Sequence, residues 1–358
     1  MRVAVLGAGN GGLASAFDFA QHGHVASLFA TPEFGSNLQP VEEAGGITAS
    51  GDLEGFAPIR YAGNDIGEAM AGAELVVLVG PAYSTEPLAT AAAPHLSEDM
   101  AVLICPGSCA GAIAFKRAAG LALDDERIVV GETSTLPYAV RITEPATINV
   151  FLKLQTGVYL AAQPRSGTDR LYELTREVWP AVEKAESVFQ TTLQNGNPVI
   201  HPAVTLLNAG LLERTGGDFL FYEEGVTESV GRLIEAVDNE RLAIAEELGV
   251  TIYSEPALGS RQGYMREENY STGYSTAPGF LGIKAQGELD HRYLTEDVGY
   301  SLILFTDLAA RLGVPTPVMD GVITIASAVL GRDFRAEGAR TTSTLGLDGL
   351  SPEELAAL

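Results

Sequence analysis

Six residues near the N-terminus constrain the fold more than any other stretch of the chain. Gly7-Ala8-Gly9-Asn10-Gly11-Gly12 carries glycine at the first, third and sixth positions of G-x-G-x-x-G. Just before it, residues 2–7 (RVAVLG) form an apolar run that stops at glycine, as a strand buried on both faces does. Just after it, residues 13–21 (LASAFDFAQ) read as a helix with small residues on the side facing a sheet. Strand, glycine turn and helix in this order predict a dinucleotide turn. Gly7 permits the tight turn, Gly9 lets backbone approach a pyrophosphate, and Gly12 lets the helix pack closely on the sheet. The helix N-terminus then offers free N–H groups and a partial positive charge, with Asn10 and Gly11 between the outer glycines. The bland alternative is a strand–helix turn that holds nothing.

Similar runs recur through the first half: residues 25–30 (VASLFA), 75–79 (LVVLV, ending at Gly80-Pro81), 101–105 (AVLIC, ending at Pro106-Gly107) and 128–130 (IVV, leading to Gly131-Glu132-Thr133). Alternation with helical segments predicts an α/β Rossmann domain, a doubly wound parallel sheet whose ligands bind beyond the strand carboxyl ends. Thr31, Pro81 and Ala82 follow such ends and join the glycines as cofactor-binding candidates. NAD enzymes usually place an acid at the end of the second strand. Here that end reads Leu28-Phe29-Ala30-Thr31-Pro32-Glu33, with no acid at 30 or 31 and no arginine following. NAD(H) and NADP(H) both stay open, and the missing acid tips the expectation slightly toward NADP(H).

From about residue 185 the pattern changes. Residues 202–212, 228–248, 294–312 and 317–330 carry apolar side chains at helical spacing, and strand-like runs become scarce. The expected organisation is a dinucleotide-binding domain over 1–185 and a mostly helical substrate domain over 186–358. Residues 253–287, rich in Gly, Ser, Tyr and Pro, read as one long functional or mobile loop.

A length of 358 residues exceeds what one core usually serves. The net charge of −24 disfavours nucleic acid and anionic membrane surfaces as partners. The two cysteines, Cys105 and Cys109, suit neither a four-ligand zinc site nor a disulfide framework, so no metal is expected and a reducing cytoplasm is. The opening residues are too short an apolar stretch for a signal peptide, and no uninterrupted run is long enough to span a membrane. A homodimer through the helical domain is the oligomeric expectation, without a specific signal for it.

Hydride transfer to a C=O or C=N carbon needs a proton delivered nearby, and histidine suits that near neutral pH. Of five histidines, His22, His24, His95 and His291 fall in turns or connections. His201 follows Asn195-Gly196-Asn197-Pro198 at the domain boundary and is expected to open a helix through Pro202. Taken alone it reads more readily as a capping or core histidine. The run Arg292-Tyr293-Leu294-Thr295-Glu296-Asp297 is equally ambiguous alone: its acids suit a first helical turn and its arginine a surface.

The chain nevertheless resembles the opine dehydrogenase family, which includes octopine dehydrogenase and N-(1-carboxyethyl)norvaline dehydrogenase. The resemblance rests on the glycine motif at 7–12, Gly131-Glu132-Thr133 with Leu136-Pro137 and Arg141, Asn197-x-x-x-His201-Pro202, the 292–297 run, and Val314-Pro315-Thr316-Pro317. It implies a Rossmann domain joined to an all-helical opine domain, with a cleft that closes on ligands. It implies that His201 is the catalytic acid/base, that Asp297 is the carboxylate fixing its tautomer, and that Arg292 reaches the cofactor pyrophosphate. The implied reaction joins an amino acid amine to the carbonyl of a 2-keto acid through an imine, which hydride reduces to a secondary-amine dicarboxylate. Thr135, Arg141, Asn197 and Asn208 are candidates to hold the two substrates. Two departures put substrate identity in doubt. Octopine-type members have a tryptophan in the substrate loop, where this chain has Tyr264, Tyr270 and Tyr274 and places its single Trp179 earlier. Cys109 also replaces a polar side chain.

Two other readings compete. A ketopantoate-reductase-like or 3-hydroxyacid dehydrogenase would use a lysine on the first long helix of the second domain, yet after Lys184 the chain has only Lys284. A non-catalytic dinucleotide sensor would fit the glycine turn but leave His201 and Asp297 without a duty.

Overall fold

The computed structural model describes residues 1–358. Its contacts divide the chain into Met1–Thr191 and Thr192–Leu358. This division lies six residues after the expected 185/186, and Thr191 is tied to the first unit, where its Oγ1 donates to Glu132 (2.7 Å).

The first unit contains twelve strands: β1 (Arg2–Leu6), β2 (Val25–Phe29), β3 (Gly46–Gly51), β4 (Gly55–Pro58), β5 (Tyr61–Gly63), β6 (Leu75–Leu78), β7 (Ala101–Ile104), β8 (Val129–Thr133), β9 (Tyr138–Glu144), β10 (Thr147–Lys153), β11 (Val158–Gln163) and β12 (Val182–Lys184). Eight form one sheet in the order β12-β11-β8-β7-β6-β1-β2-β5. β6 and β7 are buried along their whole length, and β1 along all but its first residue, which is why these strands read as unbroken apolar runs. β1 pairs in parallel with both β2 and β6. The chain builds β2 and β5 on one side of β1, then crosses to β6 on the other. The strand order therefore reverses at β1, and the crevice beyond Leu6 and Leu78 is where such folds bind ligands.

The sheet is mixed rather than purely parallel, since β11 runs antiparallel to β8. A second, four-stranded sheet, β4-β3-β10-β9, was absent from the sequence reading. Its β3 (GITASG) and β4 (GFAP) are short, small-residue strands without an apolar rhythm, and β9 and β10 alternate only in part. Arg141 lies on β9, with an exposed side chain.

The second unit is helical. Its longest helix, Glu228–Leu248, starts at Thr227, whose side chain accepts from the Val230 amide, and ends at Gly249 in the left-handed conformation (φ 77°). It buries Ile234, Val237, Ile244, Ala245 and Leu248 against the helices Asn197–Leu207, Ile303–Leu312 and Pro317–Leu330. Residues 202–212, expected as one helix, divide between Asn197–Leu207 and Ala209–Thr215. The break is at Asn208, whose amide donates to the carbonyls of Val204 and Gly225. Residues 294–312 begin instead as Arg292–Thr295, pass through one π-helical turn, Asp297–Leu302, and continue as Ile303–Leu312. The expected loop 253–287 holds two short helices, Glu255–Arg261 and Thr272–Ser275, and pairs Lys284 with Leu220. No helix is long and apolar enough to cross a membrane.

Candidate active site

The glycine turn begins where β1 ends. The Gly7 amide donates to Phe29 O (2.7 Å), and the Val79 amide donates to Leu6 O (2.8 Å), so the turn is fastened to both neighbouring strands. Space dictates two of its glycines. A Cβ on Gly7 (φ +129°) would lie 1.9 Å from Val79 O, and one on Gly12 would lie 1.8 Å from Gly7 O. Gly9 is different: a Cβ there would meet nothing within 4 Å. The turn thus presents bare backbone to an open cradle at the N-terminus of the helix Asn10–Gln21, which fits a pyrophosphate lying against it.

Asn10 has another task as well. Its side chain accepts from the Ile142 amide (2.8 Å) and clamps the turn to β9. Thr31 caps a 3-10 turn after β2, and Pro81 with buried Ala82 opens another after β6. Both lie beyond strand carboxyl ends. Asn37 and Asn64 brace this rim, donating to Ala8 O (2.8 Å) and Ala30 O (2.7 Å).

In the second unit, His201 sits in the second turn of Asn197–Leu207 rather than at its start. Pro198 stands in the first turn, and Pro202 falls inside the helix. Asp297 begins the π-helical turn, a widening of the helix that re-aims side chains. The two meet with Nδ1 of His201 2.8 Å from Oδ2 of Asp297, both almost wholly buried. On the other side of the imidazole, Nε2 lies 3.1 Å from the Tyr222 hydroxyl. Tyr293 stacks on the ring face (3.8 Å between centroids, 19°), and Phe221 meets it edge-on (6.0 Å).

Burial sets the protonation of this pair. It pushes the Asp297 carboxyl up to about 7, against the opposing pull of Arg292, and it holds His201 well below its usual range, with Arg292 adding to the effect. Burial therefore disfavours charge on both groups, and a proton held by the pair lies between Nδ1 and Oδ2. Arg292 is half exposed, leans over the Tyr293 ring (5.3 Å) and lies 3.4 Å from buried Glu296.

A second buried polar cluster anchors the start of the histidine helix. Arg241 pairs with Asp238 (2.6 Å) and donates to the carbonyls of Leu193 and Tyr253. Asp238 also accepts from the Glu255 amide and from the Tyr270 hydroxyl. Glu255 packs on Gly196, where a Cβ would lie 2.0 Å from Oε2. Tyr270 is thereby committed to this cluster, whereas Tyr264 and Tyr274 stack with Phe280, which in turn stacks on Tyr222.

The remaining candidates are scattered. Thr135 follows β8, its carbonyl accepting from Thr133 Oγ1 (3.0 Å). Arg141 donates to the Val140 carbonyl (2.9 Å). Asn197 is the first residue of its helix, and the donors of Asn208 are spent on the helix break. Trp179 is buried in the first unit and donates to the Tyr138 hydroxyl. Cys109 is buried with φ 74°. Sequence reasoning gave no role to Tyr222, Tyr293 or Phe221. Only Tyr293 lay inside a motif singled out beforehand.

Residues 184–330 match the model of the NAD/NADP octopine/nopaline dehydrogenase α-helical domain. An opine dehydrogenase of Arthrobacter sp. (strain 1C) is 33% identical over 352 residues, covering 97% of this chain and 96% of that protein. The chain belongs to the opine dehydrogenase family. It is an NAD(P)-dependent oxidoreductase of the opine type. The fold agrees with a solved octopine dehydrogenase in complex with NADH and agmatine (TM-score 0.80, 18% identity, 100% of this chain and 98% of that one). It agrees also with yersinopine dehydrogenase bound to NADP+ (TM-score 0.72, 18% identity, 99% and 96%).

Proposed function

We propose that this opine dehydrogenase condenses an amino acid amine with a 2-keto acid and reduces the resulting imine, with His201 as the acid/base and Asp297 as the group that orients it. The buried 2.8 Å contact between their side chains is the observation that carries this assignment. A carboxylate on Nδ1 fixes the imidazole tautomer and leaves Nε2 to exchange the proton. Condensation expels water and forms a C=N bond. Protonation of its nitrogen makes the carbon electrophilic, and a hydride then yields the secondary amine. The bound nicotinamide supplies that hydride.

The cofactor is assigned to Gly7, Gly9, Asn10, Gly11 and Gly12, with Thr31, Pro81 and Ala82 at the rim. The open cradle at Gly9 supports this assignment. Arg292 is proposed as a cation for the cofactor's phosphates, supported by its half-exposed guanidinium. For the substrate carboxylates, Arg141, Thr135 and Asn197 remain the candidates to test first. The cytoplasm is the proposed compartment, in keeping with Cys105 and Cys109 both being buried thiols rather than a disulfide.

The test crosses a panel of amino acids with 2-keto acids, following NADH and NADPH oxidation and product mass, for the wild type and His201→Asn. The expected result is a strict requirement for an amine, with a rate lowered by roughly 10²–10⁴ in the variant. Oxidation of cofactor with a keto acid alone would favour a hydroxyacid dehydrogenase instead. A variant as active as the wild type would remove His201 from the chemistry.

A further inference from the structure

We propose that the Tyr222 hydroxyl carries the proton between His201 and the substrate, so that the acid is a chain of three groups, Asp297, His201 and Tyr222. This rests on the acid/base reading of His201 and extends it. The imidazole has no free edge: Asp297 holds Nδ1 at 2.8 Å, the Tyr222 oxygen sits 3.1 Å from Nε2, and Tyr293 covers a ring face. His201, Asp297 and Tyr222 are all buried, so a proton leaving the imidazole passes first to one of these two neighbours, and Tyr222 is the one on the Nε2 side, away from the carboxylate.

The phenol ring is held in place. Phe280 stacks on it (4.2 Å, 14°) and Phe221 abuts it edge-on (5.0 Å, 84°). Swinging the hydroxyl aside to bare Nε2 would break both contacts, whereas passing a proton through it breaks neither.

The step balances without a free phenolate. As the imine nitrogen takes the Tyr222 O–H proton, the oxygen takes the proton from His201 Nε2, so one O–H bond forms while the other breaks. His201 ends neutral with its Nδ1–H on Asp297. Oxidation of the opine runs the transfers in reverse. Burial, which holds the Tyr222 phenol well above its usual range, favours such a concerted passage over ionisation.

Tyr222→Phe keeps the ring and its aromatic neighbours and deletes only the hydroxyl. The expected result is a kcat at least tenfold lower with amino acid and keto acid KM values and dinucleotide Kd within threefold of wild type. The proton inventory in mixed H2O/D2O should change from curved, with two protons in flight, to linear. In the ligand-free protein, the 15N shift of His201 Nε2 should move as its partner is lost, and 3-fluorotyrosine at position 222 should keep most of the rate. A kcat within twofold of wild type, an inventory already linear in the wild type, or a raised KM at unchanged kcat would overturn the relay. If Tyr222→Phe is silent while His201→Asn is inactive, the relay fails and the histidine assignment stands. If His201→Asn is active, that assignment fails on its own.

Discussion

Asp297 is a carboxyl whose environment works against its charge. Burial raises it to about 7, and the one nearby cation that opposes this, Arg292, does so incompletely. A proton held by the carboxyl is therefore present below about 7 and lost above it. Imine reduction needs that proton, so its rate should fall as pH rises through about 7, and opine oxidation should show the opposite limb. Asp297→Asn replaces the acceptor with an amide whose N–H turned toward Nδ1 forces the imidazole proton onto Nε2. We expect kcat to drop by roughly 10²–10⁴ and the limb near 7 to vanish, with dinucleotide affinity unchanged. Steady-state pH profiles in both directions check this. A variant within fivefold of wild type, or one that keeps the limb, contradicts the role given to Asp297.

At the scale of elements, the glycine turn separates stability from binding. Gly12 is demanded by the fold itself, since a Cβ would enter the Gly7 carbonyl, so Gly12→Ala should lower Tm by several degrees. Gly9 faces open space, so Gly9→Ala should leave Tm within about 2 °C while weakening NAD(P)H binding tenfold or more, about 1.4 kcal/mol. Fluorescence titration beside thermal melts distinguishes them, and unaltered NAD(P)H binding by Gly9→Ala would contradict the cradle. This element was legible in the sequence because burial on both faces, a tight turn and close helix packing each restrict residue type. The sheet of β3, β4, β9 and β10 was not, because strands such as GITASG draw their order from pairing with distant partners and show no apolar rhythm. The site divides in the same way. His201 and Asp297 could be named from motifs, but the 3.1 Å contact of Tyr222 with His201 joins residues on separate elements and leaves no spacing to read. The break at Asn208 and the π turn at Asp297 were hidden too, since apolar periodicity runs on through both.

For the molecule as a whole, pH should act on stability through its buried acids. The net charge is −24, and acidic repulsion grows as pH rises, but the larger effect is local. Glu255 is buried with one oxygen lacking a hydrogen-bond partner, and its carboxyl is pushed from 4.5 up to about 8, chiefly by burial, with Arg241 pulling the other way. An acid raised in the folded state holds its proton there after the unfolded chain has released it. Its stabilising protonation is complete below about 4.5 and is lost as pH climbs through about 8, so unfolding free energy should decline across that window. The slope is at most roughly 1.4 kcal/mol per pH unit for one such group. Glu255→Gln keeps the shape against Gly196 and cannot ionise. Denaturant melts between pH 5 and 9 should show the variant close to wild type at pH 5 and progressively more stable above it. Because this carboxyl packs where the His201 helix begins, the same loss of protonation should loosen the site before the whole unit unfolds. Amide exchange of residues 196–201 should therefore quicken from pH 6 to 8 in the wild type, beyond the intrinsic increase, and not in Glu255→Gln. Parallel pH dependence in the two proteins would show that Glu255 is not the titrating group.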